Sequence, residues 1–316
     1  MANQFTLTRS NLQGVWPALL TPWTEDDRID EARLSAEIAA MGAEGVHGTY
    51  TGGTAGEFYA QDDATFEQLT EIACREAHRA DLPIQIGCTA LSTRVVKNRV
   101  RIALRNGADA IQLALPFWLP LADEEVYQFF RDVAQAAGDT PLVLYQTMRA
   151  KRRVDPPLLG ELSRATPTLI GIKDTGCDYD VMQRIVADAP DLAVFGTDVD
   201  FLERMRLGAR GTYSSVAGLN AGLMLAIYHH CAADRFDLAE PLQDAVRRLM
   251  YEVLHPISRE EGLLDSALDK LQRFVGGGLI GLRCQRPYRS ATQQHVERVR
   301  QWCQREAPVL LTAGSK

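Results

Sequence analysis

An eight-unit α/β barrel followed by a helical tail is the architecture this sequence predicts, and three observations predict it. Short apolar, β-branched runs alternate eight times with stretches of helical periodicity, at the density expected of a closed parallel barrel of roughly 200 to 250 residues. No glycine-rich dinucleotide fingerprint follows an early run, as an open doubly wound sheet would favour. Beyond residue 234 the strand signal stops and only helical patterns remain. The expected division is a (β/α)8 TIM barrel over 1–233, carrying the chemistry, and a C-terminal helical appendage over 234–316.

The first strand is expected over 15–20, where VWPALL is apolar and partly β-branched, and the first helix over 31–42. Strands at 46–51, 83–88, 110–115, 142–145, 169–173, 193–196 and 211–215 follow, each an apolar run of strand length. Helices over 64–79, 92–106, 123–137, 157–165, 179–189, 199–208 and 219–233 separate and follow them, with apolar residues three to four apart. In the tail, three helical patterns at 237–254, 259–275 and 289–305 are joined through the HPIS segment and a Gly276-Gly277-Gly278 turn.

Composition narrows the function. The chain of 316 residues is 46% hydrophobic and carries a net charge of -7, so no global attraction draws it to nucleic acid or to an anionic membrane. The N-terminal stretch has no apolar core of a signal peptide, and no window approaches eighteen apolar residues. Six scattered cysteines without a CxxC pair suit reduced thiols, and a cytoplasmic location is expected. The six histidines show no metal-ligand spacing: His229 and His230, adjacent on a helix, cannot face one ion together. The one dense basic run, Arg149, Lys151, Arg152 and Arg153, suits a solvated loop, a subunit contact or a site for a substrate anion.

Lysine is scarce, five of the 34 basic residues, and Lys173 ends the apolar run Leu169-Ile170-Gly171-Ile172. Strand alternation puts Ile170 and Ile172 on the helix-facing side and Leu169, Gly171, Lys173 and Thr175 on the barrel side. Lys173 then points inward near the C-terminal mouth, where barrel enzymes place their chemistry. At a pKa near 10.4 about one such amine in a few thousand is neutral at pH 7; desolvation raises that fraction and makes the amine a nucleophile. Asp174, the next residue, faces the other way. A lone strand-end lysine more often snorkels to the rim or pairs with a carboxylate such as Glu57, so the neighbouring strand ends decide.

Strand two ends in Gly52-Gly53-Thr54-Ala55-Gly56-Glu57, a turn whose amides at Gly53, Thr54 and Ala55 can crowd around a carboxylate, although most such turns are merely tight. Strand five brings Val143 and Tyr145 inward, and a phenol beside the amine can carry protons to and from a carbinolamine. The conjunction of carboxylate turn, phenol and amine is the constellation for forming and protonating an imine.

With 14–22 like its opening strand, GTAGE at 53–57 like its GTTGE turn and GIKDTG at 171–176 like its Schiff-base strand, the chain resembles the family of dihydrodipicolinate synthase and N-acetylneuraminate lyase. The resemblance implies that Lys173 forms the imine, that Tyr145 transfers protons, and that Thr54 with Ala55 holds the pyruvyl carboxylate. It further implies that Tyr213 lines the site from strand eight and that Gly196 and Asp198 meet the substrate's tail. It implies no metal and no organic cofactor, a homo-oligomer (tetramer or dimer), and a 2-oxo acid such as pyruvate as the small-molecule partner. Three departures bear on substrate: Ala55 lacks the family's second threonine hydroxyl, Pro116-Phe117-Trp118 offers no phenol, and Tyr145 is followed by Gln146-Thr147-Met148-Arg149. Trp118 makes the expected pocket wall bulkier and more apolar than a polyol prefers.

The leading reading is an aldolase or lyase joining or splitting pyruvate and an aldehyde. A dehydratase of a 3-deoxy-2-oxo sugar acid would use the same imine, dihydrodipicolinate synthesis is a further alternative, and a regulatory barrel that binds a small acid without turnover is the reading from another class. One of Arg149, Arg152 and Arg153 is expected to recognise a distal anionic group through its guanidinium fork.

Overall fold

The computed structural model describes residues 4–312. Its eight parallel strands are β1 (Gly14–Pro17), β2 (Thr49–Thr51), β3 (Ile84–Gly87), β4 (Ala110–Leu113), β5 (Leu142–Gln146), β6 (Leu169–Asp174), β7 (Ala193–Gly196) and β8 (Gly211–Ser214). Each pairs with its sequence neighbour, and β1 pairs with β8. A bridge between Ala18 and Tyr50, with the Leu19 N–H donating to the Tyr50 carbonyl at 2.8 Å, brings β1 against β2 and closes the barrel. Several strands are shorter than the apolar runs. Val46, Leu19 and Leu20 are buried in the cores without joining the strands, so apolarity there marks packing rather than pairing.

The eight helices between and after the strands are α1 (Glu31–Ala43), α2 (Asp63–Arg79), α3 (Thr93–Arg105), α4 (Asp123–Ala137), α5 (Pro156–Ala165), α6 (Tyr179–Asp188), α7 (Phe201–Arg206) and α8 (Ala221–Ala232). Carboxylate or amide side chains start four of them: Asp30, Asp62, Asp155 and Asn220 accept from the N–H groups of Arg33, Thr65, Leu158 and Leu223. Each satisfies a donor that has no partner inside the helix. Outward residues such as Ile86, Leu113, Leu144 and Ile172 form a core with these helices, while Trp16, Tyr50, Val143, Phe195 and Tyr213 fill the barrel interior.

Strand alternation holds in β6 only from Gly171 onward. Leu142 pairs with Leu169 but Val143 pairs with Gly171, so Ile170 is an extra residue opposite β5. The bulge reverses the two faces at the start of the strand: Leu169 joins the outer core and Ile170 the inner one, against the expectation from strict alternation. Past the bulge, Ile172 faces out and Lys173 in.

The tail differs from expectation at HPIS. Helix α9 (Phe236–Leu249) runs through a π-helical stretch, Met250–Leu254, directly into α10 (His255–Glu261), so the segment is helical and not a linker. The widened turn precedes Pro256 and accommodates its ring and missing N–H without a break. The chain turns instead at Gly262, whose φ of 68° is left-handed. Helices α11 (Asp265–Val275) and α12 (Gln293–Glu306) follow.

Two buried ionic clusters dock the tail on the barrel. Arg273 of α11 pairs with Glu37 of α1 and, at 2.9 Å, with Glu44 just beyond it. Lys270 of α11 pairs with Glu57, which also accepts from the Trp23 indole at 2.9 Å and the Gln285 N–H at 2.7 Å. Both charges of the second pair are fully buried, and Glu57 holds a left-handed backbone (φ 59°) that is costly for a residue with a Cβ. Removing one partner strands a buried charge. Lys270→Met is therefore expected to lower unfolding free energy by about 3–5 kcal/mol in urea titration, with part of the loss recovered in Glu57→Gln/Lys270→Met.

Candidate active site

Three strand ends converge at the C-terminal mouth. Tyr145 and Lys173 are register partners on β5 and β6, which sets the phenol beside the amine. Lys173 is only 7% exposed, and its Nζ donates to the Tyr50 hydroxyl at 2.8 Å. Around that nitrogen stand three tyrosine rings, with centroids at 4.3 Å (Tyr50), 4.5 Å (Tyr145) and 5.3 Å (Tyr213). Glu57, offered above as a possible partner of the amine, is taken by Lys270. Asp174 faces outward as expected, accepting from Arg153 at 2.9 and 2.7 Å and from the Gln146 amide at 3.1 Å.

Burial lowers the pKa of Lys173, opposed by the charges of Tyr145, Asp269, Asp198 and Asp265. The phenols behave differently from one another. Burial pushes Tyr50 and Tyr213 well up, and they stay protonated at any working pH. Burial also acts on Tyr145, but the charged Lys173 and hydrogen bonds from Thr54 and Thr147 outweigh it and pull this phenol down. The ring best able to exchange a proton is thus the one whose hydroxyl meets the Thr54 hydroxyl, at 3.4 Å.

The turn that follows β2 is pinned from several sides. A Cβ on Gly52 would lie 2.4 Å from the Gly87 carbonyl oxygen, so only glycine lets β2 and β3 approach there. Ser266 of α11 donates to the Thr54 carbonyl at 3.0 Å, and the Thr21 hydroxyl donates to the Gly56 carbonyl at 2.9 Å. Leading away from Lys173 is a cleft of about 420 Å³ lined by Thr54, Ala55, Tyr145, Thr175, Asp198 and Tyr213, with His255, Asp265 and Asp269 from the tail.

The remaining predicted residues occupy distinct places. Gly53 and Arg149 line a second, smaller cavity beside Tyr145, and Arg149 pairs with Asp265 at 2.8 Å. Asp198 lines the cleft with its carboxylate held by the Thr212 hydroxyl (3.1 Å) and the N–H groups of Ser215 (2.7 Å) and Val216 (3.0 Å). Gly196 packs against Arg204 rather than the cleft, since a Cβ there would meet that side chain at 2.2 Å. Tyr213 turns its hydroxyl down the barrel to Gln85 at 2.9 Å and offers the site its ring. Trp118 is 74% exposed and lines neither cavity. In the basic run, Arg152 pairs with Asp123 and Arg153 with Asp174.

Tyr50 and three residues of α11 escape the sequence reading. Tyr50 sits between Thr49 and Thr51, and all three are buried. That polar flanking hides which face is inward, although the step from Tyr50 to the Gly52 turn was available as a signal. The α11 residues Asp265, Ser266 and Asp269 reach the mouth only because the tail docks there, which no local pattern announces.

The fold and this site define a class: a lyase that works through an imine between a lysine and a 2-oxo acid. Residues 11–305 match the model of the dihydrodipicolinate synthetase family, and the chain belongs to that family. It is 29% identical over 301 residues to an N-acetylneuraminate lyase of Rhizobium meliloti, covering 95% of this chain and 96% of the relative. Over 252 residues it is 29% identical to a 4-hydroxy-tetrahydrodipicolinate synthase of Methanopyrus kandleri, covering 78% and 81%. Its fold matches that of YagE, a prophage protein of the dihydrodipicolinic acid synthase family from Escherichia coli K12 solved with pyruvate, at TM-score 0.84 and 19% identity over 93% of this chain and 98% of that one.

The lowered pKa of Lys173 has a consequence for stability. An unfolded lysine keeps its proton to about pH 10.4 whereas the buried one releases it earlier, so folding carries a penalty below the folded pKa that fades as pH climbs toward the unfolded value. Lys173→Met is expected to melt above the parent at pH 7, by about 1.4 kcal/mol for each pKa unit of depression. The gap should close as scanning calorimetry is repeated at rising pH toward 10; a gap independent of pH would mean the amine is not desolvated.

Proposed function

We propose that Lys173 forms the imine with the 2-oxo group of pyruvate, and that the enzyme reversibly joins pyruvate to an aldehyde. The carrying observation is the buried amine with the pKa-lowered phenol of Tyr145 facing it. Neutral amine attacks the keto carbon, a proton passes through Tyr145 to the departing hydroxyl, and water leaves an iminium that acts as electron sink. Tyr145 then takes a proton from the adjacent carbon to give the enamine, and returns it to the aldehyde oxygen as the new carbon–carbon bond forms. Cleavage is the same path reversed.

For the carboxylate the reading uses the N–H groups of Thr54 and Ala55. Neither is taken by another group among the described residues, and the Thr54 hydroxyl already points toward Tyr145. Thr175, Asp198 and the ring of Tyr213 wall the cleft beyond the amine. Arg149, tied to Asp265 at the rim, is the arginine of the basic run near enough to meet a distal anion. A homo-oligomer is supported by Trp118 and Leu119, 74% and 69% exposed side by side on the loop after β4. A cytoplasmic location is in keeping with six cysteines that are all buried and unpaired.

Borohydride reduction in the presence of pyruvate should add one pyruvyl group to Lys173, located by peptide mass spectrometry. Tyr145→Phe should still be labelled while turnover falls about 10²–10⁴-fold, and Lys173→Ala should show neither. Turnover that survives in Lys173→Ala, or a folded wild-type protein that pyruvate never labels, removes the reading.

A further inference from the structure

Beside the cleft that holds Lys173 lies a smaller cavity of about 220 Å³, and the two meet at Thr54, Tyr145 and Asp265. Beside Tyr145, four further rings line it. Phe58 and Tyr59 come from the short helical turn after Glu57, Phe117 from the loop after β4, and Tyr288 from the loop before α12, with Leu264 ahead of α11. The rings contact one another edge to face: Phe58 with Phe117 at 6.0 Å, Phe58 with Tyr59 at 5.7 Å, and Tyr59 with Tyr288 at 4.6 Å. The charged pair at its rim, Arg149 with Asp265, is mutually satisfied at 2.8 Å. Gly53, Thr54 and Tyr145 are shared with the carboxylate turn and the imine chemistry, and the rest of the cup serves neither.

We infer that the cup receives the side chain of the aldehyde partner, and that this side chain is a single aromatic ring. The inference rests on the imine reading above and names its acceptor. Position is the first ground, because the cup opens on the hydroxyl pair of Tyr145 and Thr54. An aldehyde oxygen bonded to the Tyr145 hydroxyl has its substituent directed either into the larger cleft or into the cup. Chemistry is the second ground. Besides Asp265, which both share, the larger cleft carries Asp198, Asp269, Ser258 and His255, whereas the cup sets five rings beside Thr89, Thr147 and an Arg149 already paired with Asp265, fewer partners for a polyhydroxy tail to replace the water it would lose. A planar ring instead meets edges and faces already disposed as aromatic groups prefer. Size is the third: the cup falls below the roughly 300 Å³ at which pockets for drug-sized ligands begin, which suits one ring and little else.

The step balances without an external reagent. The enamine carbon attacks the aldehyde carbon, the carbonyl π pair moves onto oxygen, and that oxygen takes the proton from Tyr145. The iminium left at Lys173 is hydrolysed by water, releasing a 4-hydroxy-2-oxo acid with an aryl group at its fourth carbon and restoring the amine, while the proton set free returns to the Tyr145 phenolate.

The test uses the full chain with pyruvate and either benzaldehyde or glycolaldehyde, with products identified by mass. Benzaldehyde should be the better acceptor by about tenfold or more in kcat/KM, the value of a well-made aromatic contact. Phe117→Ala and Phe58→Ala should each lower kcat/KM for benzaldehyde by about tenfold, mainly through KM, and change glycolaldehyde by less than about twofold. Phe117→Trp, which fills the cup without opening a void, should exclude benzaldehyde and spare glycolaldehyde, so a folding defect in the alanine variants does not decide the matter. Equal losses for both aldehydes in Phe117→Trp, or glycolaldehyde preferred by the parent, overturn the inference while pyruvate still labels Lys173. That is also the outcome if a side chain of a second copy occupies the cup. A parent protein that pyruvate does not label overturns the imine reading and this inference with it.

Discussion

A cationic side chain enclosed by a barrel wall is tolerated only if it gives up its charge or finds an opposite one, and burial at the mouth of this protein pushes Lys173 toward the first option. Lys173 receives a hydrogen-bond acceptor from Tyr50 and the faces of three rings, but among the described residues no carboxylate within hydrogen-bonding distance. Three carboxylates near it are engaged elsewhere. Asp174 is turned outward to Arg153, Glu57 is tied to Lys270, and Asp198 is held by the backbone after β8. The surroundings weaken the amine's hold on its proton without supplying a counter-ion, the condition a nucleophilic lysine needs.

The same exclusion explains why the tail is integral to the site. Glu57 ends the GTAGE turn in a strained left-handed conformation, and it stays there because Lys270, Trp23 and Gln285 hold its carboxylate from three directions. Ser266 grips the Thr54 carbonyl from the same helix that supplies Lys270. Residues distant in sequence thereby fix the groups expected to orient the substrate's carboxylate, and strain in one turn is offset by ion pairing with another part of the chain.

Much of this was legible in the amino-acid sequence because barrels repeat. Eight alternations of strand and helix, a Gly-rich turn after the second strand and inward positions at 145 and 173 follow from periodicity and from the mouth's known use. Alternation failed where its premise failed: the bulge at Ile170 inserts a residue and exchanges the faces of Leu169 and Ile170. It recovered at Lys173 because the bulge is spent one residue later. HPIS looked like a linker because proline usually ends helices, whereas the π-helical stretch before it lets α9 continue into α10. Tyr50 was hidden by threonines on both sides, and Asp265, Ser266 and Asp269 by the fact that docking of a tail has no local signature. Trp118 read as a pocket wall from its place after strand four; the side chain instead projects into solvent while Phe117 turns toward Tyr145.

The stretch from Leu264 to Tyr288 walls both cavities, yet it contributes no strand to the barrel and no group to the amine's immediate cage. The later portion of the polypeptide therefore shapes both cavities from outside the barrel. Drift in the later portion can retune which molecules are accepted while the bond-making apparatus is inherited intact, so long as Lys270 and Ser266 keep their grip on the turn.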